Sequence, residues 1–331
     1  MTDRPTCLLI IPTTFYGFAK TIAAALEAAG YAVTVANDEY PSNSFGKLLG
    51  KLDLPIIRFL TRQAIERKFL TGARWNLTVI FKGRGVGAAL ATALRRHSDR
   101  TVGYHFDSLA YDRASRHWGA HVDRVSTFDY HDAMVEDWPV VELFSTLPMP
   151  SSPPVRRYRV SAIVRSHSQR LAYVDQVIAA VGTNDIFVFF YEKDWLAWFV
   201  RALRHPRLYW RWRHHISFTP LPYDRYIEGI AASDFTIDYA HPKQTGATIR
   251  CFEARAVGTR IITNNPFVLK SDRFGPDRAI VFQPGEDRSL LRAAMAQLLI
   301  QMRPAPASRT PAEFMAEVIG TAGQAPSTPS N

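Results

Sequence analysis

The stretch that most limits how this chain can fold is residues 234–265, DFTIDYAHPKQTGATIRCFEARAVGTRIITNN. It reads as strand, loop, helix, tight turn, strand. DFTIDY is an apolar run with β-branched residues, bounded by Asp234 and by the break at His241-Pro242. In ATIRCFEARAV, the spacing puts Ile249, Phe252 and Ala256 on one helical face. Gly258 follows where a left-handed residue would end that helix, and TRIITNN resumes as a buried strand. Such a unit belongs to a doubly wound α/β domain, and its loop lies at the carboxyl end of a strand, the edge where these folds bind ligands.

The same alternation runs through the rest of the chain. CLLIIP, TIAAALEAAG and YAVTVAND make an opening β-α-β unit within residues 7–38. The turn between the first strand and helix, Thr13 to Gly17, is not the G-x-G-x-x-G dinucleotide fingerprint, which argues against an NAD enzyme. It leaves an aromatic loop whose Tyr16 and Gly17 are candidates for contacting a ligand in the cleft. TVGYHFDS delivers His105, Asp107 and Ser108 to a strand end. The SSPP segment at 151–154 is the best linker, giving domains 1–150 and 155–303, then a spacer, a short helix and a polar tail over 304–331. A length of 331 residues suits two such domains, and 47% apolar with 21% charged residues is a globular composition. No apolar run approaches the roughly 20 residues of a membrane span, and no signal peptide is expected. Cys7 and Cys251 sit far apart in apolar segments, which suits small buried hydrophobes in a reducing cytoplasm.

The loop in the central stretch suits an anion. Free amides at the start of the helix, the helix dipole and the hydroxyls of Thr245 and Thr248 favour negative charge, and Lys243 and Arg250 add full positive charges. Glu253 lies two turns beyond Gly246, at roughly 10 Å. A carboxylate at that distance from a phosphate can accept both hydroxyls of a ribose, so the spacing describes a nucleotide. The competing reading is an ordinary crossover whose Thr and Gly residues only cap the helix. RSHSQR at 165–170 is another strand-to-helix turn, which offers His167, Ser168 and Arg170 to an anion.

The formal charge of +10 points to an anionic partner without choosing it. Residues 195–215, WLAWFVRALRHPRLYWRWRHH, interleave tryptophan and arginine. That mixture suits a lipid headgroup layer, a pair of packed helices with arginines reaching outward, or a surface that stacks bases. An anionic membrane surface is the partner carried forward. Nucleic acid is not expected, because a non-specific binder needs no organised HPKQTG loop.

HPKQTGATIRCFEARAVGTRIITNN resembles the C-terminal signature of GT-B bacterial glycosyltransferases. It is most similar to the "group 1-like" cell-surface polysaccharide and spore-coat-type set, which reads approximately HPxQTGLTxRxFEALGxGKKLITTN. The resemblance implies a GT-B fold, two Rossmann-like domains with parallel sheets facing across a cleft. It implies a nucleoside-diphosphate sugar donor on the C-terminal domain, held by His167, Arg170, His241, Gln244, Thr245, Gly246, Thr248, Arg250 and Glu253. The acceptor, a glycan or lipid-linked sugar, would lie on the N-terminal domain. No cofactor or metal is expected. Many retaining enzymes of this type carry two glutamates seven residues apart; Glu253 fits the second, but the first position falls on Thr245, so retaining chemistry is not carried over. An inverting transfer needs a base near the acceptor hydroxyl, for which Asp107 and then His105 are the candidates. A non-catalytic binding relative at the membrane and a nucleotide-sugar epimerase are the alternatives. The expected location is the cytoplasm, on or near the inner face of the cell membrane.

Overall fold

The structure, a computed structural model, describes residues 4–13, 17–147, 149–152, 154–166 and 169–321. Tyr16, His167 and Ser168 lie outside the described residues. The chain forms two compact units. One comprises residues 1–146, 242–246 and 309–331; the other comprises 147–241 and 247–308.

The first unit contains β1 (Thr6–Ile10), α1 (Phe18–Ala28), β2 (Ala32–Ala36), α2 (Ser44–Lys51), α3 (Pro55–Ile65), β3 (Trp75–Phe81), α4 (Ala88–Arg96), β4 (Ser98–His105), β5 (Arg124–Thr127) and α5 (Tyr130–Glu136). Its five strands pair in parallel in the order β2-β1-β3-β4-β5. The central strands are covered on both faces. Cys7, Leu8, Leu9 and Ile10 of β1 and Val79, Ile80 and Phe81 of β3 are wholly buried, which is why they read as continuous apolar runs. Pro55 occupies the first turn of α3, where its missing N–H costs nothing.

The second unit contains β6 (Tyr158–Arg165), α6 (Arg170–Val181), β7 (Ile186–Tyr191), α7 (Trp195–Arg204), α8 (Pro206–Trp212), β8 (Ile216–Ser217), α9 (Tyr223–Ala231), β9 (Ser233–Asp238), α10 (Ile249–Ala256), β10 (Arg260–Thr263), β11 (Ala279–Val281) and α11 (Arg288–Ile300). All six strands are parallel, in the order β11-β10-β9-β6-β7-β8. Counted within the unit, that is the strand order of dinucleotide-binding sheets, whose direction of winding reverses between the first and fourth strands, here β6 and β9. On one face, Leu171, Val174, Val177 and Ile178 of α6 pack with Leu291, Met295 and Leu298 of α11. Helix α10 departs from the expected one-faced pattern: Cys251, Phe252, Glu253, Ala254 and Ala256 are all buried.

The last helix, α12 (Pro311–Ile319), belongs to the first unit, where it packs on α1, β4 and β5. Thr310 and Glu313 form a reciprocal capping box at its start. Phe314 is fully buried, with its ring centroid 4.9 Å from Tyr104 and 4.7 Å from Phe144. Burial of a side chain of that size contributes about 2–3 kcal/mol. Arg309, 2% exposed, fixes the entry to this helix through an ion pair with Glu317 at 2.5 Å and a hydrogen bond to the Glu142 carbonyl.

Candidate functional site

In the second unit, polar side chains gather at the carboxyl ends of β6, β9 and β10. Asp238, the last residue of β9, is 1% exposed. Its two oxygens accept from the Thr248 hydroxyl at 2.6 Å and the Thr263 hydroxyl at 3.0 Å. The Asn264 side chain both accepts from the Ala240 amide at 2.8 Å and donates to the Ala240 carbonyl at 3.0 Å, which fixes the path of the chain leaving β9. Because the Thr248 hydroxyl turns to Asp238, it makes no cap on α10, and the first-turn amides of that helix receive no side-chain acceptor from it. Arg250 reaches from α10 to the switch point of the sheet, donating to the Ile163 carbonyl at 2.6 Å, with Asp238 at 3.9 Å. Glu253, one turn further on, accepts the Tyr226 hydroxyl. Burial pushes the Glu253 carboxyl up; the Tyr226 hydrogen bond and the Arg250 charge oppose the rise.

The sequence-derived donor residues therefore fall in different places. Thr248, Arg250 and Glu253 share the α10 network. Arg170 opens α6 at the end of β6, and half-buried His241 lies three residues beyond β9. Gln244, Thr245 and Gly246, expected in the second domain, belong to the first unit. There Asp129 accepts from the Thr245 amide at 2.6 Å and its hydroxyl at 2.8 Å, and Asp107 accepts from the Gln244 side chain at 3.1 Å. A Cβ on Gly246 would stand 2.3 Å from the Phe128 carbonyl oxygen, so only glycine fits. Hydrogen bonding, invisible in the pattern of strands and helices, decides where this segment goes. Tyr226 and Asp238, which hold the α10 network together, were not singled out by sequence. Their one signal was a polar residue ending a strand and a tyrosine on the preceding helix.

The carboxyl edge of the first sheet carries more charge. Lys82 follows β3 in a left-handed conformation, φ 62°, unusual for a residue with a side chain. Its Nζ lies 2.6 Å from Asp107 Oδ2. Arg84 pairs with Asp112 at 2.6 Å and donates its amide to Asp38 at 3.3 Å. Asp129 caps α5. Asp38 is 1% exposed, and burial pushes its carboxyl up to about 7, with the Glu39 charge adding to the rise. Burial likewise lifts Asp132 to about 6, although the Leu109 amide bonded to it works the other way. Gly17 starts α1 at φ 76°.

His105 does not serve as the outward-facing base expected of it. It is 1% exposed and stacks between Trp118 and Trp138, at centroid separations of 4.5 and 4.9 Å. Burial holds its imidazole neutral, with the pKa brought down to about 3. Neither ring nitrogen has a hydrogen-bond partner among the described residues. The cause is Trp118, whose indole lies over Gly103 and donates to the Lys82 carbonyl at 3.0 Å. Asp107, two residues on, remains at the edge with one oxygen on Lys82 and the other on Gln244.

Two Rossmann-like parallel-sheet units in one chain define a GT-B fold. No family model matches the sequence, and no curated protein matches it. Similar solved structures include Anabaena HepE in complex with UDP and glucose, 13% identical, with 96% of this chain and 95% of that chain covered at a TM-score of 0.57. The UDP-GlcNAc 2-epimerase of Methanocaldococcus jannaschii, in complex with UDP-GlcNAc and UDP, is 11% identical over 96% of this chain and 100% of its own, at a TM-score of 0.56. AviGT4, a glycosyltransferase involved in avilamycin A biosynthesis, is 15% identical over 96% and 93%, at a TM-score of 0.51. At these identities the likeness is one of fold.

Proposed function

We propose that this chain is a glycosyltransferase that moves a sugar from a nucleoside-diphosphate sugar to a hydroxyl of a glycan or glycolipid in cell-surface polysaccharide synthesis. The observation that carries the reading is the start of α10. Its N-cap hydroxyl is committed to Asp238, so the helix offers uncapped amides and the positive end of its dipole at the switch point of a dinucleotide-type sheet. A diphosphate seated there meets Thr248 and Arg250, with Arg170 at the start of α6 and His241 beyond β9; His167 is assigned to the donor from the sequence alone. Glu253 takes the ribose hydroxyls, exchanging its Tyr226 partner for them. Backbone amides and basic side chains then stabilise the leaving diphosphate without a metal ion. The fold likeness to HepE and AviGT4 supports the same reading.

In this reading Asp107 is the base that accepts the acceptor's proton, and the Lys82 contact orients its carboxylate. From the resemblance, Gln244, Thr245 and Gly246 are assigned to the donor, and Tyr16 and Gly17 to the acceptor. The M. jannaschii epimerase shares the fold, so epimerisation is the reaction to test against. The protein is incubated with labelled UDP-, GDP-, ADP-, CDP- and dTDP-sugars, with and without a lipid-linked acceptor. The transferase reading expects release of one nucleoside diphosphate, accelerated by acceptor and slowed about a hundredfold or more in Asp107→Asn. A donor whose sugar changes configuration without diphosphate release would replace it with the epimerase. Binding with no turnover of any donor would leave a non-catalytic relative.

A further inference from the structure

Unlike α6, α8, α9, α10 and α11, helix α7 buries no residue. Trp195, Leu196, Phe199, Val200 and Leu203 are all exposed, from 41% at Val200 to 68% at Trp195. At 100° per residue they fall within an arc of roughly 140°, one continuous apolar face. On the opposite side Arg201 turns back to Glu192. Trp210 of α8 is 69% exposed, with the Arg213 guanidinium 4.3 Å above its ring. Arg204, Arg207 and Arg213 have no acidic partner within 4.0 Å among the described residues. From Trp195 to Tyr223 the sequence contains no Asp or Glu.

We propose that this face of α7, with the arginines beside it, docks on a membrane surface bearing anionic phospholipid headgroups. The helix is about 15 Å long and lies in the plane of the interface rather than across it. No helix among the described residues is long and apolar enough to cross a membrane. Tryptophan rings at Trp195 and Trp210 sit at the headgroup level, aliphatic side chains enter below it, and arginines meet lipid phosphates. The aliphatic residues decide against nucleic acid, because Leu196, Val200 and Leu203 offer no flat face to stack on a base. Charge decides against a second copy of the chain, because a two-fold contact through this surface would set arginines against arginines. The inference does not rest on the transferase reading.

The test is co-sedimentation of the full chain with vesicles of phosphatidylcholine, alone or mixed with phosphatidylglycerol. Wild type is expected to partition onto the mixed vesicles at least about tenfold better than onto the neutral ones, and less so as salt rises. Leu196→Glu with Phe199→Glu abolishes partition onto both. Arg204→Glu with Arg207→Glu removes the preference for the anionic vesicles. Leu203→Ser, at a position 66% exposed, is a milder apolar variant whose folding is not in question. All variants keep the wild-type melting temperature and nucleoside-diphosphate affinity, so failure here is distinct from failure of the donor reading. The proposal is overturned if wild type partitions onto neither vesicle or if the apolar variants partition as wild type does. It is also overturned if binding is lost instead in Phe45→Glu with Leu48→Glu, on the exposed apolar face of α2. Two further outcomes reject it: a wild-type dimer that Leu196→Glu with Phe199→Glu dissociates, or single-stranded DNA bound in preference to the vesicles.

Discussion

The carboxyl edges of the two sheets use their polar side chains in opposite ways. In the first unit, charges pair off locally: Lys82 with Asp107, Arg84 with Asp112, Asp129 with the amides of α5 and the Thr245 hydroxyl. Buried acids that lack a full partner, Asp38 above all, are pushed toward the neutral form. In the second unit a single buried aspartate, Asp238, draws two hydroxyls onto itself, and in doing so leaves a helix N-terminus uncapped. The same strand-end position thus holds a buried acid pushed toward its neutral form in one sheet and a helix start without a side-chain cap in the other. The difference arises from a handful of hydrogen bonds, since both sheets are parallel with their polar residues at the carboxyl edge.

The largest effect that would sharpen this contrast is on pH dependence. Asp38 titrates near 7 when folded and near 3.8 when unfolded, so the folded chain holds the extra proton between those values. The stability from this site is full below about pH 4 and is lost as pH rises through 7. Asp38→Asn should remove that slope, gaining up to about 4 kcal/mol on wild type at pH 8 relative to pH 4. Urea unfolding at several pH values measures it, and parallel curves for the two proteins would show that the edge does not hold a proton.

Next in size is Gly103→Ala. A Cβ there would stand 2.0 Å from Trp118, an indole with no exposed surface and no room to move away from His105. A loss of about 3 kcal/mol is expected in chemical denaturation. A loss under about 0.5 kcal/mol would mean that the stack on His105 is loose.

Asp238→Asn tests the other edge. It leaves Thr248 and Thr263 with a weaker acceptor and Arg250 without its nearest carboxylate, for an expected loss of about 2 kcal/mol. It also frees the Thr248 hydroxyl to cap α10, so nucleoside-diphosphate affinity should fall while the slope attributed to Asp38 stays as in wild type. Loss of both together would erase the distinction between the edges.

Much of this architecture was legible in the sequence, because parallel strands covered on both faces print as unbroken apolar runs such as CLLII and LTVIF. What could not be read was partnership across long separations. Nothing near His105 announces Trp118 and Trp138, which turn a strand-end histidine into packing. Nothing in HPKQTG announces Asp129, whose carboxylate draws Thr245 into the first unit. Glu253 was legible as a carboxylate one turn into a helix, but its tyrosine partner 27 residues earlier was not.

If α10 and Glu253 hold a nucleoside diphosphate, as we propose, thermal unfolding of wild type beside Glu253→Gln in a panel of such diphosphates will show it. One base should be preferred and, at about a hundredfold its dissociation constant, should add roughly 2.7 kcal/mol to wild type. The variant, folded but with its ribose acceptor weakened, should bind that ligand about tenfold less tightly, a loss near 1.4 kcal/mol. No stabilisation of folded wild type by any diphosphate, or equal stabilisation of both proteins, would contradict it.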